Sequence, residues 1–198
     1  MSIPKLVNTL KKEILLDSWI TVERHTACHE GFSKKIIGPY NREIVMSRDA
    51  VAVVLYDPAC DSVVLIKQFR LPAHVKPIGS PWLWEVVAGM IEPGETPEDV
   101  AKREVMEESG LEILNMEHIH KMYTSPGITT ETIQLFYAEV DSSKAAGVHG
   151  LETEHEDIEV HTLPWDQVEL LMGPSSGIIN AVGLVGLYWL QNKRRETR

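Results

Sequence analysis

GMIEPGETPEDVAKREVMEESGL, residues 89–111, brings Glu104, Glu107 and Glu108 into one short segment, with Glu95 and Arg103 nearby. Thr96-Pro97-Glu98-Asp99 reads as a helix start. A threonine hydroxyl can accept from the free N–H groups of a first turn, and proline suits the first helical position, where no donor is needed. Gly110 ends the helix, because glycine takes the positive φ that follows a last turn. Inside that helix, residues 104, 107 and 108 stand at i, i+3 and i+4 and share one arc. Three like charges on one arc repel. A divalent hard cation reverses the sign of that term, since carboxylate oxygens are the ligands Mg²⁺ prefers. A solvated acidic face is the ordinary reading of such a helix. Here, however, the apolar run PWLWEVVAGM precedes it, followed by a glycine-containing loop. A strand, a glycine loop and a carboxylate-bearing helix make a rigid cup for metal and phosphate.

The whole chain fits one ordinary domain with a modest extension: it has 198 residues, 43% apolar and 24% charged. A net charge of −10 argues against a nucleic-acid scaffold, which would show a basic face. It does not argue against an anionic substrate, because a bound cation and a few arginines set the local field. Cys28 and Cys60 are far apart and in no metal or redox spacing, which points to the reducing cytoplasm. No N-terminal signal pattern and no membrane-length apolar run is expected, and IINAVGLVGLYWL reads as a packed helix.

Residues 1–45 carry alternating apolar positions and then turn residues, as in a two- or three-strand unit. A unit so small has to pack on the main domain or on a second subunit. From Arg42 the pattern sharpens. AVAVVLY and SVVLIKQF are apolar runs joined by DPACD, an evident hairpin. PWLWEVVAG reads as the next strand, and LEILNMEHIHKMY, TIQLFYAEV and DIEVHTLP as three more. WDQVELLMG and GIINAVGLVGLYWLQNKRR have helical spacing. The order suggests an α/β fold, a mixed sheet flanked by helices. His118 and His120 would share one side of a strand, but no third ligand is evident, so packing is their expected role. The acidic run GLETEHEDIEV is a solvated loop or a source of one more ligand and a general base. Chemistry alone leaves that choice even.

Gly89, Glu95, Arg103, Glu104, Val105, Glu107, Glu108, Gly110 and Leu111 fit the Nudix box, G-x5-E-x7-R-E-U-x-E-E-x-G-U with U a bulky aliphatic, at every position. The chain is thereby similar to the Nudix family, which hydrolyses nucleoside diphosphates linked to another moiety. The resemblance implies an α/β/α sandwich with a mixed sheet and Mg²⁺ or Mn²⁺ as cofactor. YTSPGITTE, with Pro126 fifteen residues after Leu111, and VDSSKAAGVHGLETEHEDIEV resemble segments of the family's ADP-ribose pyrophosphatase branch. That resemblance runs over residues 42–192. It implies Glu154 as the base, Glu156, Glu104, Glu108 and the carbonyl of Ala88 as metal ligands, and Glu107 as a lesser one. It also implies contacts to substrate from Arg70 at the diphosphate, Met90 in the pocket and Glu131 on the terminal-ribose side. In that branch the N-terminal strands exchange between two subunits, so the resemblance implies a homodimer, with Trp19 and Arg42 completing the partner's adenine pocket. The expected boundary is an N-terminal β extension over 1–45 and a Nudix domain over 46–198. ADP-ribose is the expected substrate, with GDP-mannose and UDP-glucose as alternatives. A non-catalytic ADP-ribose sensor is the alternative from another class, but it would not need the intact box.

Overall fold

A computed structural model describes residues 6–173, 177 and 180–196, the side chain of Glu154 excepted. The chain divides into two compact units, Met1–Arg48 with Tyr123–Thr132, and Asp49–Met122 with Ile133–Arg198. The first holds a three-stranded antiparallel sheet of β1 (Val7–Asp17), β2 (Thr21–Glu30) and β3 (Ile36–Met46). The segment 123–132, which the sequence places between two core strands, joins this unit. Val45 N–H donates to Ile128 O (2.8 Å), Thr130 N–H to Val45 O (3.1 Å), and Ser47 N–H to Thr130 Oγ1 (3.0 Å).

The second unit is a mixed sheet between helices. Its strands are β4 (Ala50–Asp57), β5 (Ser62–Phe69), β6 (Trp82–Glu85), β7 (Val87–Met90), β8 (Asn115–Tyr123), β9 (Thr132–Glu139), β10 (Val148–His149) and β11 (Ile158–Pro164). The order is β10-β11-β5-β4-β9-β8, with β6 against β5 and β7 against β4. β4 and β9 run parallel and the other pairs for which a register is defined are antiparallel. The helices are α1 (Leu71–Val75), α2 (Pro97–Ser109), α3 (Trp165–Leu171) and α4 (Ala181–Glu196).

Alternation along the strands explains the layering. On β4, Ala50, Ala52 and Val54 face Trp165, Val168, Leu187 and Leu190 of α3 and α4. Val51, Val53 and Leu55 face Val100, Ala101 and Val105 of α2. Both faces of the sheet are therefore covered, which is why β4 and β5 read as continuous apolar runs. Each buried valine or leucine among them contributes roughly 1.5–3 kcal/mol of transfer free energy. This is the α/β/α arrangement expected.

Two expectations need correction. PWLWEVVAG is not one strand: the ladder breaks at Val86, β6 continuing the sheet beside β5 and β7 beside β4. LEILNMEHIHKMY is a strand only from Asn115, the residues before it forming the exit from α2. The C-terminal helix spans Ala181–Glu196, and the expected residues 178 and 179 lie outside the described ones. Its last turn is anchored through Arg194, only 7% exposed, whose guanidinium bonds Asp61 and lies 4.1 Å over the Trp165 ring. His118 bonds Gln134 Oε1 (2.8 Å) and stands edge-on to Phe136, a packing role.

At the end of β4, Asp57 accepts from Ser142 Oγ (2.7 Å), Ser142 N–H (2.9 Å) and Ala59 N–H (2.9 Å). Burial works to raise its pKa, but these donors outweigh it and hold the carboxyl at about 2. A folded pKa below the usual 3.8 means that the stabilisation is fully present above 3.8 and is lost as pH falls through about 2. Asp57→Asn should therefore cost about 2 kcal/mol at pH 7, with the gap to wild type closing between those two values. Thermal melts at pH 7, 4 and 2.5 check this; a gap independent of pH would mean that the charge contributes nothing.

Candidate active site

The carboxylate helix forms as its ends dictate. Asp99 N–H donates to Thr96 Oγ1 (3.2 Å), Pro97 opens the first turn, and Gly110 closes the last at φ 68°. Helix α2 then packs Val100, Ala101 and Val105 into the core, which turns Glu108 inward as well.

Glu108 is 2% exposed and its Oε2 accepts from Ala88 N–H (3.1 Å). Burial raises its pKa well above the usual value. The Ala88 hydrogen bond and Arg70 oppose that, while Glu104 and Glu156 reinforce it. Glu104 lies against the backbone of Gly89: a Cβ added there would fall 1.8 Å from Glu104 Oε1, so any side chain at this position would displace the Glu104 carboxylate. Burial pushes the Glu104 carboxyl up to about 7; Arg103 opposes the rise, and Glu107 and Glu156 add to it.

Arg103 is the hub of the box. Its guanidinium donates to Glu95 Oε1 (3.0 Å) and Oε2 (3.2 Å), Glu104 Oε1 (2.7 Å), Glu107 Oε2 (3.0 Å) and Met90 O (3.3 Å). Glu95 in turn accepts from Glu92 N–H (2.9 Å), so the loop is braced against the helix. Arg103 also partly neutralises the acidic arc, which the sequence alone presented as simple repulsion.

Arg70, at the end of β5, donates from Nε (3.2 Å) and Nη2 (2.7 Å) to Glu85 Oε2. Its Nη1 makes no hydrogen bond among the described residues. Burial tends to lower the Arg70 pKa, but Glu85 first, then Glu108 and Glu156, more than offset it. Glu85 is 7% exposed and was missed in the sequence, where it reads as one polar residue in an apolar run.

The loop after the 3-10 turn Ser142–Lys144 returns to α2. Gly150 N–H donates to Glu107 O (3.3 Å), and the His149 ring packs on Gly110, where an added Cβ would meet it at 2.8 Å. Glu156 Oε2 accepts from Leu151 N–H (3.2 Å), which folds the loop back on itself. Glu154 ends the 3-10 turn Glu152–Glu154, but its side chain lies outside the described residues. His149 has no signal in the sequence that distinguishes it from any loop histidine.

Ala88, Glu104, Glu107, Glu108, Glu156, Arg70 and Met90 thus belong to the second unit, and Trp19, Arg42 and Glu131 to the first. Arg42, on β3, lies 5.0 Å from the Tyr40 ring centre and lines a cavity of about 710 Å³ with Tyr40, His29, Tyr123, Pro126 and Ile128. Trp19, in the turn between β1 and β2, is 93% exposed. Glu131 donates its N–H to Thr129 Oγ1 (3.1 Å). Met90 is 41% exposed at the end of β7.

Among the described residues no three His, Cys, Asp or Glu side chains are drawn up as a ready-made cation cage. Yet burial removes water from Glu104 and Glu108, and Glu156 stands close enough to raise the proton affinity of both. Only hard oxygen donors are offered, two of them already anchored by Arg103 and the Ala88 N–H. That set fits a divalent hard cation, which relieves the repulsion that burial intensifies.

A family model described as NUDIX domain matches residues 46–178. The ADP-ribose pyrophosphatase of Haemophilus influenzae is 41% identical over 187 residues, 93% of this chain and 86% of that protein. Its counterpart in Escherichia coli K12 is 37% identical over 185 residues, 93% and 88% of the two chains. The GDP-mannose pyrophosphatase of Pectobacterium atrosepticum is 31% identical over 166 residues, 84% of each. A crystal structure titled ADP compounds hydrolase superposes with a TM-score of 0.75 at 19% identity, covering 100% of this chain and 98% of that one, which shows a shared fold.

Proposed function

The chain belongs to the Nudix family, and from that premise we infer that it hydrolyses the diphosphate of ADP-ribose, releasing AMP and ribose 5-phosphate. The observation that carries the reading is the convergence of Glu104, Glu108 and Glu156 beside a fixed arginine. The substrate follows from the ADP-ribose pyrophosphatases, which are more similar to this chain than the GDP-mannose enzyme is.

Glu104, Glu108, Glu156 and the Ala88 carbonyl would hold the divalent cation, with Glu107 a lesser contributor, and we propose Mg²⁺ as the ion. Bound there, the cation supplies Lewis-acid polarisation of the diphosphate. Glu154 takes the proton of the attacking water, acting as general base. Arg70, held rigid by Glu85, offers Nη1 to the phosphoryl oxygens and offsets the charge that grows on them during in-line attack. Gly89 lets Glu104 lie flat against the loop, and Arg103 ties that loop to the helix. The intact acidic arc favours this over a non-catalytic ADP-ribose sensor, which has no use for it.

The test is a panel of ADP-ribose, GDP-mannose and UDP-glucose with Mg²⁺, Mn²⁺ or EDTA, with products separated by chromatography. ADP-ribose should turn over with a kcat/KM at least tenfold above the others, giving AMP, and EDTA should abolish it. A preference for another nucleotide sugar would reassign the substrate while keeping the chemistry.

The same reading includes a homodimer in the cytoplasm. Supporting it, the first unit exposes Val7 (71%), Trp19 (93%) and Phe32 (83%), apolar surface that a second copy would cover. Trp19 would face the base and Arg42 a phosphate of the partner's substrate; Met90 would line the pocket, and Glu131 is proposed for the terminal-ribose side. Trp19→Ala and Arg42→Ala should each raise KM for ADP-ribose about tenfold with kcat largely kept, the loss expected for one aromatic or charged contact. A monomer in sedimentation would reject the dimer, and unchanged KM values would reject these contacts. The compartment rests on the free Cys28 and Cys60 and is checked by cell fractionation.

A further inference from the structure

Glu154 and Glu156 stand on a loop, whereas Glu104 and Glu108 stand on α2. Carboxylates from two elements act together only if the loop is held at a fixed place against the helix. The backbone ties that hold it are few. β10 is two residues long at the edge of the sheet, paired as Val148↔Glu159 and His149↔Ile158. Val160 N–H adds a bond to Gly147 O (3.2 Å).

The side chain of His149 supplies a further tie. Residues directly opposite on neighbouring strands share a side, and Ile158 is buried with Val100, Ala101 and Val105 of α2. His149 therefore stands on the α2 side. Its Nε2 lies 2.9 Å from Ala146 O, and because a carbonyl only accepts, Nε2 carries the proton. The bond orients the ring, which turns its Cε1 edge on Gly110. A Cβ at Gly110 would lie 2.8 Å from Cε1, and 3.5 and 3.6 Å from the two ring nitrogens. Gly110 thereby does more than end the helix: by lacking a side chain, it leaves the seat in which the ring rests.

From that seat the chain leads directly to a loop carboxylate. Gly150 N–H donates to Glu107 O (3.3 Å), in the terminal turn whose carbonyls lack helical donors. Gly150 takes φ 99°, and a Cβ on it would fall 2.7 Å from Glu156 Cβ, so Glu156 packs on Gly150. Leu151 N–H donates to Glu156 Oε2 (3.2 Å), and Glu156 N–H to Leu151 O (3.2 Å). Residues 149–151 thus link Gly110 of the box to Glu156, which is felt in turn by Glu104 and Glu108.

We propose that His149 is a positioning residue for the reaction: its ring, seated on Gly110 and tied to Ala146, docks the loop 150–157 on the end of α2 and sets the loop carboxylates against those of the helix. His149 acts through Glu156 and not on the substrate. The proposal rests on the reaction inferred above and adds to it a residue with no place in the Nudix box.

The experiment compares full-length wild type with His149→Ala, which empties the seat, and with His149→Gln, whose amide N–H₂ can still donate to Ala146 O. Backbone amide exchange is read peptide by peptide in EDTA, beside the melting temperature. Then kcat, KM and the half-saturating Mg²⁺ concentration are measured on ADP-ribose. The Ala variant should melt close to wild type, because the ring is outside both apolar clusters, while residues 150–157 exchange faster. Its kcat should fall by about tenfold to a hundredfold with KM for ADP-ribose kept, the effect of reacting groups set slightly out of place. The Mg²⁺ requirement should rise by about tenfold. The Gln variant should recover most of the protection and of the rate. Unchanged loop exchange in the Ala variant overturns the proposal, as does a Gln variant no better than the Ala one. So do kcat and Mg²⁺ requirement within about twofold of wild type. A melting temperature lowered in both variants, with protection lost across the whole domain, assigns the ring to general stability and overturns it too. An inactive wild type refutes the reaction instead, and amide exchange still reads whether His149 docks the loop.

Discussion

Glu104→Gln and Glu108→Gln should each lower kcat on ADP-ribose by about a thousandfold, the several kcal/mol that a correctly held divalent cation supplies to the transition state. Neither change should unfold the protein. Glutamine at 108 can still accept from Ala88 N–H and no longer places a charge where the side chain is 2% exposed. Glutamine at 104 relieves the same crowding, and Arg103 keeps its bonds to Glu95 and Glu107. Melting temperatures should therefore stay level or rise while turnover collapses. Glu107→Gln is the internal comparison. Its carboxylate is more exposed than that of Glu104 (28% against 12%) and is tied to Arg103, so its loss should cost only about tenfold. Steady-state rates against Mg²⁺ for all three decide the matter. Near-full turnover in the variants at 104 and 108 would sink the ligand assignment, and a larger effect at 107 would shift it along the helix.

Glu154→Gln should reduce kcat by about a hundred- to ten-thousandfold, the range for a lost general base, with metal and ADP-ribose affinity close to normal. Glu156→Gln should behave differently. Its carboxylate is already felt by Glu104, Glu108 and Arg70, so its removal should raise the Mg²⁺ concentration needed, and added metal should restore part of the rate. Two residues apart on a strand, the pair would be held to the same side. The 3-10 turn that ends at Glu154, and His155 at φ 56°, remove that constraint and make a division of labour feasible. Rate against Mg²⁺ for both variants reads the outcome. Rescue of the Glu154 variant by metal would exchange the roles, and two unimpaired variants would move the base into α2.

The parts legible in the sequence are those set by neighbours a few residues apart. Thr96, Pro97 and Gly110 delimit α2 because capping acts within one turn, and the shared arc of Glu104, Glu107 and Glu108 follows from helical pitch. The Glu95–Arg103 brace was legible for the same reason, spanning one loop and two turns. Continuous apolar runs marked β4 and β5 as strands covered on both faces. What only the tertiary structure decided are pairings between distant residues. The break at Val86 depends on two different partner strands, which periodicity within the segment does not encode. Glu85 becomes the anchor of Arg70, segment 123–132 joins the N-terminal sheet, and Arg194 reaches Asp61, each through a register that packing sets. Gln68 shows the difference in one residue. Along the strand it is merely a polar residue beside Lys67 at the end of an apolar run, and only the neighbouring strands bury its amide and leave the oxygen without a donor among the described residues. Backbone propensity and capping are local energies, readable along the chain; burial and hydrogen-bond satisfaction are properties of the assembled layers, fixed when strands distant in sequence come to lie side by side.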